Sequence, residues 1–190
     1  MGRHKQFVPE DVVDCVMDVF WNNGYAATSP RALADAAGIG VSSLYNAFGS
    51  KHDLFLRVLR RYAANELAHQ IRLLDEPGPV RERIRRLLEA VAGRECPHRR
   101  GWLAVNTAVE LGGRDESVAC LVHAMFEVLE HALCQAIEEG RRSGELTAGG
   151  DPAATAAVVL ATVSGLGVLA GMDSWPERVD AVIRTTVANL

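Results

Sequence analysis

The stretch 28–54, TSPRALADAAGIGVSSLYNAFGSKHDL, constrains this chain more than any other. Ser29 stands before Pro30. A serine hydroxyl satisfies free N–H groups at a helix start, and proline suits the first helical turn. Leu33, Ala34 and Ala37 then give a small apolar face. Gly38 ends that helix, because glycine takes the left-handed backbone of a C-terminal cap without a Cβ penalty. A second segment, 41–48, follows at once. Its Leu44 and Phe48 share one face, which leaves Ser42, Ser43, Tyr45 and Asn46 on the other. Such short or amphipathic polar groups suit phosphates and base edges. Ser50 opens a third helix, with Asp53 placed for a capping box. Two short helices joined by a glycine turn, the second with a polar outer face, form a helix-turn-helix. The second helix of that layout enters a DNA major groove.

This stretch and its flanks resemble the DNA-binding signature of the tetracycline-repressor (TetR) family of bacterial transcription regulators. The resemblance is carried by Phe20, Gly24, Tyr25, Thr28, Leu33, Ala34, Ala37, Gly38, Val41, Leu44, Tyr45, Phe48, Lys51 and Leu54. The chain departs from the family pattern at three places. Gly40 stands where Ser is frequent, Asn46 where His often follows the Tyr, and Pro30 where a β-branched residue is common. The resemblance implies an all-α fold of about nine helices, in line with ordinary helix lengths. A three-helix DNA-binding domain is expected over 1–54 and an effector-binding and dimerisation domain over 55–190, with a long helix over 51–75 between them. The function implied is a sequence-specific transcriptional regulator, a repressor released from a palindromic DNA operator by a small apolar effector. The residues expected at DNA are Thr28, Ser29, Arg31, Val41, Ser42, Ser43, Tyr45, Asn46, Ser50 and Lys51.

Composition agrees with a confined DNA face. Net charge is −4, so the chain as a whole is no basic nucleic-acid sponge. Residues 1–61 carry seven Lys/Arg against six Asp/Glu, while the remainder is acidic. Cysteines at 15, 96, 120 and 134 form no tight framework. With no apolar leader at the N-terminus, a reducing cytoplasm is expected. Cys15 reads as a buried thiol beside the apolar face of the first helix, 9–22. Arg3, His4 and Lys5 give a short basic arm, open to a DNA contact or to a terminus without structure.

Beyond residue 78 the helices carry both apolar and polar groups. Arg81, Arg83, Arg85 and Arg86 read as a solvated face. Trp102, Asn106, Val109, Glu110, Met125, Phe126, Leu129, Thr162 and Leu166 suit an apolar cavity with a few orienting polar groups. The resemblance implies that a small molecule is sensed there. The segment 152–172 has no charge and many small residues. It is long enough for a membrane span, but its Ala, Gly, Ser and Thr content points to a helix buried on several sides. The resemblance implies a homodimer through 152–172 and 175–190, and no membrane contact is expected.

No catalytic constellation, cofactor loop or nucleophile elbow appears, so no enzyme and no cofactor are expected. Cys120-x-x-His123 and His131-x-x-Cys134 lie on one helix, with Cys120 and His131 about 16 Å apart. Each pair alone supplies two ligands, too few for a zinc site, so no metal is expected. Two other readings differ in class. One is a thiol- or oxidant-sensing regulator on the same scaffold, weakened by Trp102 standing where similar sensors place a Cys. The other is a helical enzyme or a membrane-associated protein without DNA binding.

Overall fold

The computed structural model describes residues 8–93, 102–147, 149–170 and 176–190. Among them the chain forms nine helices and no strand. These are α1 (Pro9–Ala27), α2 (Pro30–Ala37) and α3 (Val41–Phe48), then one long helix, then α6 (Val80–Val91), α7 (Leu103–Leu111), α8 (Glu116–Arg142), α9 (Pro152–Ala170) and α10 (Pro176–Ala188). The long helix consists of α4 (Lys51–Tyr62), a π-helical turn (Ala63–Leu67) and α5 (Ala68–Asp75). The basic arm at Arg3, His4 and Lys5, the loop with Cys96, and the segment at Ser174 and Trp175 lie outside the described residues.

The start and stop signals act as their chemistry dictates. Ser29 Oγ accepts the Ala32 N–H at 3.1 Å, and Gly38 closes α2 in the left-handed region at φ 65°. Ser50 and Asp53 form the reciprocal capping box, at 2.9 and 3.1 Å. The Ser50 hydroxyl, which donates to Asp53 Oδ2 at 2.7 Å, and next the Ser50 N–H hold the Asp53 carboxyl below its ordinary pKa.

The N-terminal unit packs Val16, Phe20, Leu33, Leu44, Phe48, Leu54, Phe55 and Val58 into one core. Arg61 Nε and Nη2 each donate to the Asp14 carboxylate at 2.8 Å, tying α4 to α1. Cys15 is exposed rather than buried. The buried stripe of α1 runs through Val12, Val13, Val16, Met17 and Phe20, and at about 100° per residue Cys15 falls on the far side. The first helix also runs beyond its expected stop. Gly24 kinks it, at φ 76° and ψ 172°, and a further turn continues to Ala27.

The C-terminal bundle is built on α8, which buries Val118, Val122, Met125, Leu129, Leu133 and Ile137. Asp115 caps it, accepting the Val118 N–H at 3.0 Å. The arginine face of α6 is not wholly solvated. Arg83 is 5% exposed, donates Nη1–H to the Leu74 carbonyl at 2.7 Å and sets Nη2 2.7 Å from Glu139. The other three are spoken for: Arg81 by the Val187 carbonyl, Arg85 by Glu82 and Arg86 by Glu76. By length and composition α8 and α9 could each cross a membrane. Both instead place a face in the bundle, α9 through Ala156, Val159, Val163 and Leu166.

The long helix is not uniform. Its π turn falls where α4 leaves the N-terminal unit. A π turn inserts a residue into the i→i−4 ladder, a feature frequent at functional sites.

Candidate nucleic-acid interface

Leu44 and Phe48, 0% and 3% exposed, pin the inner face of α3. That leaves Val41, Ser42 and Asn46 exposed, with Ser43 and Tyr45 half-buried at the edges. Gly40 precedes α3 without a side-chain cap, so the first N–H groups of α3 are available to an anion. On α2, Ser29 and Arg31 are exposed, and the Arg31 head is 3.8 Å from Asp35. Ser50 is exposed within its capping box. Lys51 is half-buried, with its ammonium 4.5 Å from the centroid of the Tyr25 ring. Burial raises the pKa of Tyr45, so its phenol stays a neutral donor at neutral pH.

Thr28 does not join this surface. It is 1% exposed, and its Oγ1 donates to the Gly24 carbonyl at 2.6 Å. It holds the turn between α1 and α2 instead of meeting a ligand. The exposed set formed by Ser29, Arg31, Val41, Ser42 and Asn46, edged by Ser43, Tyr45 and Lys51, is a polar face with cations at its margin. Such a face has the chemistry to meet phosphates at its edge and base edges at its centre.

Two carboxylates join this unit to the C-terminal bundle. Glu110 of α7 accepts the N–H of Tyr25 at 2.8 Å and of Ala26 at 2.6 Å. Both N–H groups are freed by the Gly24 kink, so Glu110 caps the last turn of α1 from another domain. Asp115, at the start of α8, lies 2.8 Å from His52 Nε2 at the start of α4. The Val118 N–H first, and His52 next, hold the Asp115 carboxyl below its ordinary pKa. Sequence gives no sign of either contact, since the Glu110 pairs span 84 and 85 residues. Beside Glu110 lies a cavity of about 260 Å³, lined by residues that include Trp21, Asn23, Tyr25, Phe55, Asn106 and Thr107.

The residues expected around an effector therefore divide. Trp102 and Phe126 pack with ring centroids 5.3 Å apart, and Met125, Leu129 and Leu166 are buried. The backbone of Gly167 lies so close that a Cβ there would come within 2.7 Å of Trp102 Cβ. The Trp102 indole N–H is buried and finds no acceptor among the described residues. Thr162 is half-buried and donates to the Val158 carbonyl. Val109 is 83% exposed and lines no enclosed space. The buried face of α7 runs through Leu103, Ala104 and Thr107, which turns Val109 to solvent. Asn106 and Glu110 face the junction with α1 rather than the Trp102 cluster.

Comparison with known proteins agrees with this arrangement. Residues 16–58 match the bacterial regulatory proteins of the tetR family, and residues 81–186 match the tetracyclin repressor-like C-terminal domain. The chain belongs to the TetR family of bacterial regulatory proteins. It is a DNA-binding transcriptional regulator, as the members of that family are, and not an enzyme. The uncharacterized HTH-type transcriptional regulator YezE of Bacillus subtilis (strain 168) is 33% identical over 153 residues, covering 77% of this chain and 79% of YezE. The HTH-type transcriptional repressor ComR of Escherichia coli (strain K12) is 26% identical over 191 residues, covering 98% and 90%. Among solved structures, a CifR cysteine mutant complexed with 26-bp double-strand operator DNA matches with a TM-score of 0.84. It is 30% identical, with 98% of each chain covered. Reduced E. coli NemR, 22% identical, shares the fold with a TM-score of 0.83 over 94% of each chain.

Proposed function

We propose that the protein is a cytoplasmic homodimeric repressor. It binds a palindromic operator through α3 and leaves it when a small, mainly apolar molecule enters the C-terminal bundle. The observation that carries the link between the two events is the Glu110 cap on Tyr25 and Ala26. It fastens α7 to the N-terminal unit, and the first residue before α7 is Trp102, whose buried N–H lacks an acceptor. A ligand that offers an acceptor to Trp102 relieves that unsatisfied donor, which otherwise costs about 1–3 kcal/mol. Movement of α7 then reaches α1 directly, alongside the long helix. The similarity to a repressor and to an operator complex supports the direction of control.

The dimer face is supported on the last two helices, α9 and α10. Val158 is 65% exposed and Val168 47% on α9, and α10 exposes Ala181 and Ala188, with Val179 and Val182 half-buried beside them. The test is operator binding to the adjacent promoter, followed by fluorescence anisotropy, repeated against a small-molecule panel. Loss of binding with a compound that also quenches Trp102 is expected. Binding that no compound changes would remove the effector reading and leave the DNA reading intact.

A further inference from the structure

Leu103, Asn106, Thr107 and Glu110 stand at i, i+3, i+4 and i+7 along α7. That spacing puts them on one side of the helix, and all four line the cavity at the domain junction. The opposite wall comes from α1, where Asn22 and Asn23 precede the Gly24 kink, and from Phe55 of α4. At about 260 Å³ the cavity falls just below the roughly 300–1,000 Å³ of sites for drug-sized ligands, so it suits a smaller molecule. It is also separate from the cluster around Trp102: neither Trp102 nor Phe126 lines it.

Two properties of the lining point to one kind of ligand. The first is charge. The half-buried Glu110 carboxylate accepts the Tyr25 and Ala26 N–H groups, but no Lys, Arg or His among the described residues pairs with it. The cations close by are engaged elsewhere, Lys51 on the Tyr25 ring at 4.5 Å and His52 with Asp115 at 2.8 Å. Each Glu110 oxygen keeps a second lone pair for another donor. The second property is unused hydrogen bonding. The side-chain amides of Asn22, Asn23 and Asn106 bond to no other described residue, and their carbonyls can accept.

We propose that the junction cavity binds a small primary amine in its protonated form, with the ammonium on Glu110 and an apolar body against Trp21, Phe55 and Leu103. An ammonium carries three N–H donors, one for the carboxylate and two for asparagine carbonyls. A hydrogen bond between two ionised groups is stronger than one between neutral groups. The walls suit the body: Phe55 and Leu103 are buried and Trp21 is half-buried. An anion would meet the Glu110 charge, and an uncharged molecule would leave that charge without a counter-ion. The bound amine touches α1 and α7 together, so it favours the arrangement in which Glu110 reaches Tyr25 and Ala26. Operator affinity then changes by the same factor as the operator changes amine affinity. The site depends on neither the dimer nor an effector at Trp102.

The test titrates the full-length protein with benzylammonium chloride at constant ionic strength, by calorimetry and by NMR of the side-chain amides. Benzyl alcohol, of the same shape without the charge, is the comparison. One saturable site per subunit is expected, with shifts at the amides of Asn22, Asn23 and Asn106. The alcohol should bind at least about tenfold more weakly. Glu110→Gln keeps an acceptor for the cap and removes the charge. It should weaken the amine by about 10- to 100-fold, the range for a hydrogen bond to a charged group, and leave the alcohol unchanged. Asn106→Leu changes an exposed side chain outside the cap and should also weaken the amine, so the site stays testable if Glu110→Gln does not fold. Thermal melts check both variants. Four results would each overturn the site: no saturable binding, equal affinity for amine and alcohol, an amine affinity that survives either substitution, or shifts confined to Trp102 and Phe126.

Discussion

The Glu110 carboxylate accepts the Tyr25 backbone N–H at 2.8 Å, across a gap of 85 residues in sequence. A side chain of the C-terminal bundle thus completes the hydrogen bonding of the N-terminal unit. The kink that makes room for it depends on Gly24, whose φ of 76° with ψ of 172° is accessible essentially to glycine alone. A Cβ on Gly24 would also lie 2.9 Å from Glu110 Oε2. Glu110→Ala is therefore expected to lower stability by about 0.5–2 kcal/mol, the cost of losing a side-chain cap. Gly24→Ala should cost at least as much. Chemical denaturation of the two variants measures this. A Glu110→Ala protein as stable as the parent would show that the cap carries no energy.

Operator recognition should divide by residue. Lys51→Ala is expected to weaken binding to all sequences and to reduce the salt slope by about one unit, as loss of one phosphate contact does. Asn46→Ala should change preference at a single base position, at a cost of about 1–3 kcal/mol. Thr28→Val should leave DNA specificity unchanged and act on stability, because its hydroxyl is bonded to Gly24 inside the turn. Titrations against a set of single-base operator variants distinguish the three outcomes.

Trp102→Phe keeps an aromatic ring against Phe126 and removes the unpaired N–H. The variant should be as stable as the parent or slightly more so, yet bind an acceptor-bearing effector more weakly. Gly167→Ala should destabilise by about 1–3 kcal/mol, because the new methyl would overlap Trp102. Thermal melts with and without effector test both statements. By linkage, an effector that lowers operator affinity 5- to 150-fold, about 1–3 kcal/mol, must itself be weakened by operator to the same degree.

Acid should act through the caps. Asp53 and Asp115 both have pKa values lowered below the ordinary 3.8. A carboxylate lowered in the folded state stabilises it above the unfolded pKa, and that stability is lost as pH falls through the folded value. Their contribution should therefore be constant from neutrality down to about pH 4 and then decline. Denaturation midpoints measured from pH 7 to pH 3 should show the fall, and Asp53→Asn should reduce it.

Ala161 is exposed on α9, between Val158 and Val168. Ala161→Arg should leave the subunit folded but place an unpaired charge in the dimer face, and so shift the protein towards monomer. Sedimentation at micromolar concentration is the measurement. An undiminished dimer would move the interface away from this side of α9.

Local chemistry determined a large part of this protein from sequence alone. The caps at Ser29, Gly38 and Ser50, the inner pair Leu44 and Phe48, and the polar side of α3 depend on neighbours within about one helical turn, so they are legible without tertiary knowledge. The family resemblance was legible for the same reason, because its positions are those caps and core contacts. Tertiary structure decided what spacing cannot encode. Val109 and Cys15 point outward because the neighbouring helices choose which face of α7 and α1 is covered. Arg83 is buried because the Leu74 carbonyl and Glu139 are there to receive it. Thr28 turned inward once Gly24 set its carbonyl within reach, and Glu110 became a cap because α7 lies against the end of α1. Hydrogen bonds of that range join groups far apart in the chain, so only the packing of helices brings donor and acceptor together.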